Sequence, residues 1–294
     1  MVQRHNRGGW SERDWAAALM DRRFQFRGAL RAGAALAALL VVGLGAGATV
    51  AAPLVSYRAI YDLSLGRSDQ GGGVVDLSGR FVFEFEDVCD GYTTAQRVVV
   101  QTTNADGASA LSDFSTTSWE ARDGLRYRFN VRQDYDGQRS EEYAGQARLR
   151  GRGKGGSVAY SRPNEDIIDL PVGTMFPAEH TMRLIQAGTS GKANLAATVF
   201  DGSTDEGLYG ITAFIGKPRT DKVSDTARAA LKGVRSWPVR LGYFHQGEQM
   251  EAPLYEFGFR LYENGISDDL VLDYGDYAMK GTMIRLEVLP APRC

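Results

Sequence analysis

The chain has 294 residues, of which 43% are hydrophobic and 24% charged, with a formal net charge of −2. That length buries a full core as one large domain or two small ones. The charge argues against a nucleic-acid partner, because phosphate neutralisation dominates that affinity and needs a basic surface.

The first element is an export signal, which needs positive charge, a short apolar run and a small-residue cleavage site in that order. Arg22, Arg23, Arg27 and Arg31 supply the charge, and Ala34 to Leu44 the apolar run. Ala46-Gly47-Ala48 and Thr49-Val50-Ala51 are the cleavage candidates, ahead of Pro53. A membrane anchor would need about 20 apolar residues, and this run is shorter and crowded with Gly. Residues 1–51 are therefore read as a cleavable signal sequence and residues 52–294 as a single β-rich domain. Residues 1–19 carry Trp10 and Trp15 but no apolar period that packs, so Met20 is a second candidate start. The Arg22-Arg23 pair invites a twin-arginine reading. Phe24, Gln25 and Phe26 fit that pattern poorly, so general secretion is expected. No Cys stands at the cleavage site to be acylated. Residues 1–52 take seven Arg and three acids out of totals of 34 and 36, leaving 27 basic and 33 acidic residues and a net charge of −6.

Beyond the signal, period-2 alternation predicts half-buried strands. Tyr57, Ala59, Tyr61, Leu63 and Leu65 alternate with Arg58, Asp62 and Ser64. Phe81, Phe83 and Phe85 alternate with Val82, Glu84 and Glu86. Leu125, Tyr127, Phe129 and Val131 alternate with Arg126, Arg128, Asn130 and Arg132, which gives one apolar face and one basic or polar face. Leu254 to Tyr262, Ile266 to Tyr274 and Met279 to Leu289 are three more predicted strands. Asp90-Gly91, Asp106-Gly107, Asp123-Gly124, Asp136-Gly137, Asp201-Gly202 and Asn264-Gly265 spell tight turns. The spacing of the first four leaves strands of roughly ten or more residues, long by the usual standard. Long meander strands twist, so the sheet is expected to coil into a spiral or half-barrel. A helix is predicted over Pro177–Ala187, starting on Pro and stopped by Gly188, with Met182, Leu184 and Ile185 facing the concave side. A shorter helix is expected over Ser224–Lys232.

Motifs with chemistry are few. Gly151-Arg152-Gly153-Lys154-Gly155-Gly156 matches G-x-G-x-x-G, but a dinucleotide site needs a helix after it, and both flanks read as strands; a hairpin tip is expected. Asp201-Gly202-Ser203-Thr204-Asp205 resembles the first half of a calcium loop, but Glu206 replaces the turn Gly and Thr212 the closing Glu. A polar turn is expected there, and a solvated edge for Asp268, Asp269, Asp273 and Asp276. His180 and His245 have no recognisable nucleophile or metal partner, and no G-x-S-x-G elbow is present. Paired carboxylates for glycoside hydrolysis stay open among so many acids. Trp119, Tyr127, Phe129, Tyr255, Phe257 and Phe259 are read first as core. No catalytic, cofactor-binding or metal-binding residue is assigned, and no cofactor is expected. The two cysteines, Cys89 and Cys294, read as a disulfide in an oxidising compartment, with two free thiols as the alternative. The bridge would tie down the C-terminal tail.

The segments Ser56–Leu65 (SYRAIYDLSL), Gly79–Phe85 (GRFVFEF) and Cys89–Thr94 (CDGYTT) resemble the start of the EipB-like cell-envelope integrity family. Phe200–Ser203, Ala213–Lys217 and Tyr262–Gly265 agree with it. The resemblance implies a periplasmic protein, a long antiparallel sheet coiled into a spiral similar to that of lipoprotein carriers, and a family disulfide on Cys89 and Cys294. It implies a role in envelope maintenance without known catalysis. The expected function is a non-enzymatic periplasmic factor that supports envelope integrity by binding. The partner is another periplasmic protein, a helical-repeat protein among the possibilities, or an envelope lipid. One alternative is a lipid or lipoprotein carrier using a concave apolar groove; another is an envelope-polymer hydrolase. The geometry favours looking at the concave face, since a helix of eleven residues spans about 16 Å and ten-residue strands about 33 Å.

Overall fold

The computed structural model describes residues 54–69, 73–205, 207–219, 228–247 and 252–294. The expected export signal and both candidate starts lie outside the described residues. The described residues form one compact unit. Its first meander is β1 (Tyr57–Ser68), β2 (Val74–Asp87), β3 (Gly91–Asn104), β4 (Ser109–Ala121), β5 (Arg126–Tyr135), β6 (Gln138–Gly151), β7 (Lys154–Arg162) and β8 (Asp166–Leu170). Then come β9 (Thr174–Met175) and helix α1 (Pro177–Thr189). The second meander is β10 (Asn194–Phe200), β11 (Leu208–Ile215), β12 (Ser236–His245), β13 (Tyr255–Tyr262), β14 (Ser267–Asp273) and β15 (Tyr277–Val288), with a one-turn helix α2 (Arg228–Leu231) after β11. All fifteen strands lie in one sheet, in the order β8 to β1, then β15 down to β9. The two meanders are fused by β1 pairing antiparallel with β15. Among the described residues only β9 and β10 pair in parallel.

Alternation and turns build this sheet as expected. β1 to β4 and β6 each have 12 to 14 residues, long enough to coil. Gly107, Gly124, Gly137 and Gly265 all sit at positive φ in tight turns, the conformation an Asp-Gly or Asn-Gly hairpin requires. Asp90-Gly91 is different. The left-handed residue there is Cys89, with φ 68°, and Gly91 already belongs to β3. Its own reason to be Gly is packing: a Cβ would stand 2.8 Å from the Trp119 ring nitrogen and 2.3 Å from the Glu120 carbonyl.

Helix α1 runs two residues past its expected end. Gly188 does not stop it: a Cβ there would meet the buried Trp237 ring at 2.8 Å, so this Gly lets helix and sheet approach. The chain turns instead at Gly191, φ 73°, with Ser190 and Lys192 amides donating back to Gln186 and Ala187. Leu184, Ile185 and Ala187 are buried against the sheet and Met182 packs at the margin. At the start, Phe176 provides no side-chain cap. The cap comes from β4: Glu120 Oε2 accepts from the Ala178 amide at 2.7 Å and Oε1 from the Glu179 amide at 3.0 Å. Two carboxyl oxygens on the first-turn amides answer their missing hydrogen bonds.

The end strands β8 and β9 do not pair with each other, so the sheet is an open coil. Side chains join its arms. Phe176 stacks on Tyr127 of β5 at 5.1 Å, and Phe200 of β10 stands edge-on to Phe129 at 5.5 Å. The hydroxyls of Tyr127 and Tyr160 donate to the carbonyls of Asp201 and Thr204. This seam is a separate hydrophobic cluster, distinct from the larger one under α1.

A half-covered concave face as the candidate functional site

Register assigns each side chain a face. Tyr61, Phe81, Val98 and Phe114 lie in one row across β1, β2, β3 and β4. Tyr61 is fully buried in the main core, so the row points inward. Yet Phe81, Val98 and Phe114 are only half-buried, as are Phe83, Gln96, Thr116 and Ser118 on the same face. Across the concavity, Tyr243, Tyr255 and Phe257 of β12 and β13 are half-buried as well. Tyr243 stacks on Tyr255 at 4.4 Å, and the row continues through Tyr274 and Tyr277. The cause is the length of α1. Its 13 residues span about 20 Å, and it packs on β10 and β11. Strands of 14 residues run about 46 Å. Part of the inner face is therefore left lined by aromatic rings that α1 does not cover.

The covered part is held by buried polar groups. Burial pushes the Glu120 carboxyl up to about 7, although the two helix amides and Arg152 pull the other way and Glu179 adds to the rise. Glu179 in turn pairs with Arg183 at 2.7 Å and with Arg152 at 3.6 Å. His180 is buried one residue on, its Nε2 without a hydrogen-bond partner. Burial, helped by Arg183, pushes its imidazole down to about 4, so it is neutral in the fold. That is a packing role. Glu120 was invisible to sequence reasoning, because nothing in Trp119-Glu120-Ala121 announces a helix 58 residues downstream.

The remaining sequence candidates fall as follows. Cys89 and Cys294 are adjacent, with Cα atoms 5.8 Å apart and their sulfurs within bonding distance. The G-x-G-x-x-G segment is the tip of the β6–β7 hairpin, with Gly153 at φ 69°. Asp201 turns its carboxylate to the Ser203 amide at 2.8 Å in the β10–β11 connection, a polar turn as read. His245 ends β12 and stands opposite Tyr209. Two expectations are corrected. Asp268 is buried, not solvated, because its position faces Arg260 across β13 and β14. Trp119 is not core: it pairs with Arg128 on the outer face and has the Arg126 and Arg128 guanidiniums over its ring, 5.4 and 5.1 Å from its centre.

The fold defines the class: a β-barrel-like protein whose single sheet coils around one short helix without closing its ladder. A crystal structure of a β-barrel-like protein from Brucella abortus, representing a domain of unknown function, matches with a TM-score of 0.75 at 34% identity, covering 82% of this chain and 100% of that one. The cell envelope integrity protein EipB of Brucella abortus is 36% identical over 247 residues, 83% of this chain and 87% of the relative. Residues 48–290 match the EipB-like family. The chain belongs to the EipB-like family.

Proposed function

We propose that the protein is exported, acts in the periplasm, and supports envelope integrity by holding an apolar part of an envelope component on its concave face. One observation carries the binding role: the inner aromatic residues beyond the reach of α1, Phe81, Phe114, Tyr255 and Phe257 among them, are half-buried. Rings retained on an interior face without full burial contribute little to stability for their size, and apolar surface of that kind marks binding sites. Export is supported by the N-terminal signal pattern and by the adjacent cysteines, which suit an oxidising compartment. The envelope role is supported by the EipB relative.

The test is displacement. The purified mature protein should bind an environment-sensitive fluorescent probe, and a phospholipid with long acyl chains should displace it. Phe257→Ser should weaken probe binding while the fold persists. Absence of probe binding, together with no apolar molecule found by mass spectrometry of the native protein, would end this reading. A protein partner is the second reading, favoured by β8: it is an end strand of the sheet, and its Ile167 is 73% exposed. Unpaired strand edges are used to dock other chains.

A further inference from the structure

The outer face of the sheet holds a second feature, independent of the concave one. Elsewhere on it, arginines face carboxylates across the strands: Arg80 pairs with Asp62 at 2.9 Å, Arg97 with Asp113 at 2.6 Å and Arg240 with Glu256 at 3.0 Å. Along β5 and β6 the pattern holds at one end, where Arg139 pairs with Asp134 at 2.5 Å, and stops at the other. Arg126 stands directly opposite Arg148, and Arg128 is one position further along the same face, opposite Gln146. None of these three arginines has a carboxylate partner among the described residues. Like charges directly opposite on neighbouring strands destabilise a sheet. By register, the nearest acids on this face are Glu86 and Asp169. Each lies two strands away, from Trp119 and Arg148 respectively, or roughly 10 Å. The patch is therefore an uncompensated positive field on a domain whose net charge is negative.

Its shape is also particular. Trp119 lies beneath the guanidiniums of Arg126 and Arg128, which fixes two donor forks side by side. Beyond Gln146 and Arg148 the next outward residues are small, Ser157 and Ala159 of β7, and together these residues line a shallow cleft. Small residues beside a rim of arginines leave room for a phosphate group, which guanidinium binds in bidentate fashion. Trp beside basic residues is the combination that sits well at a membrane–water interface.

We propose that Trp119, Arg126, Arg128 and Arg148 form a docking surface for an anionic phospholipid membrane, with lipid phosphates seated between the guanidiniums. Contact there would bring the protein to its bilayer in one orientation, because the rest of the surface carries the net negative charge that such a bilayer repels.

Flotation of the mature protein with lipid vesicles tests this. Vesicles of phosphatidylcholine mixed with phosphatidylglycerol should carry the protein at low salt and release it at high salt, while vesicles of phosphatidylcholine alone should not carry it. Replacing the three arginines together (Arg126→Gln, Arg128→Gln, Arg148→Gln) should lower binding roughly fivefold per arginine, on the order of a hundredfold in all. Arg97→Gln, which removes a paired arginine from the same face, should leave binding unchanged. Phe257→Ser should also leave it unchanged, which separates this result from the concave-face reading. A thermal midpoint no lower than that of the wild type shows that the triple variant is folded. Equal binding to both kinds of vesicle, or undiminished binding by the triple variant, would overturn the proposal. So would failure of the wild type to float with phosphatidylglycerol, which would leave an acidic protein as the partner for this face.

Discussion

The two parts of the concave face are built from similar residues and treated differently. Where α1 lies, Trp237, Phe176 and Ile185 are fully buried. Two fastenings cluster there. Glu120 caps the helix, and the Cys89–Cys294 pair lies at the β2–β3 turn, adjoining the strand ends where Tyr57 pairs with Val288 and Phe85. Beyond the helix, Phe81, Phe114, Tyr255 and Phe257 keep part of their surface accessible, and no cap or cysteine pair among the described residues lies there. The fastenings are concentrated in one part of the face, and the other part holds its rings by packing alone.

Four experiments press on this division. The largest effect should come from reduction, or from a Cys89→Ser/Cys294→Ser variant. A bridge across a separation of 205 residues is worth at most about 5 kcal/mol on the chain-entropy model. Non-reducing peptide mapping should find the bridge, and a lower denaturant midpoint should follow its loss; two free thiols in the native protein would break this part of the comparison. Next, Phe176→Ala removes a fully buried ring joining helix, seam and β10, and should cost about 3–5 kcal/mol in denaturant unfolding.

Glu120→Gln should act through pH. The Glu120 carboxyl is raised in the fold to about 7, so its favourable contribution is complete below its ordinary range near 4.5 and is lost as pH rises through 7. His180 has the opposite sign: lowered to about 4, it stabilises above its ordinary 6.5 and loses that contribution as pH falls. The variant isolates Glu120. The stability gap between wild type and Glu120→Gln should shrink from pH 5 to pH 8; a gap that stays constant over that range would show the carboxylate to be ionised throughout. The smallest stability effect belongs beyond the helix. Phe257→Ala removes a ring that is only half-buried and should cost about 1 kcal/mol, while probe binding falls by much more. A loss of several kcal/mol there would make that surface ordinary core.

Much of the fold was legible because its signals are local. Alternation in Leu125–Val131 and positive-φ dipeptides such as Asp136-Gly137 depend on near neighbours in the chain, and both predicted their elements. The inadequate length of α1 also followed from residue counts. What stayed hidden depends on partners distant in sequence. Gly188 read as a stop because its true constraint, the Trp237 ring, lies 49 residues away. Cys89 took the left-handed turn position in place of Gly91, whose constraint is Trp119 on the next strand. Trp119 read as core because composition does not assign a face; β4 lacks the clean alternation that assigned one to Arg126 and Arg128.

The open ladder between β8 and β9 has a consequence for motion. Opening a closed barrel breaks a row of backbone hydrogen bonds at once. Here the arms meet through rings such as Phe129 and Phe200 and through two tyrosine hydroxyls. Parting them leaves every strand pairing intact. The coil is built like a clasp, its two arms fused along β1 and β15 and caught together at the aromatic seam and at the Glu120 contacts to α1.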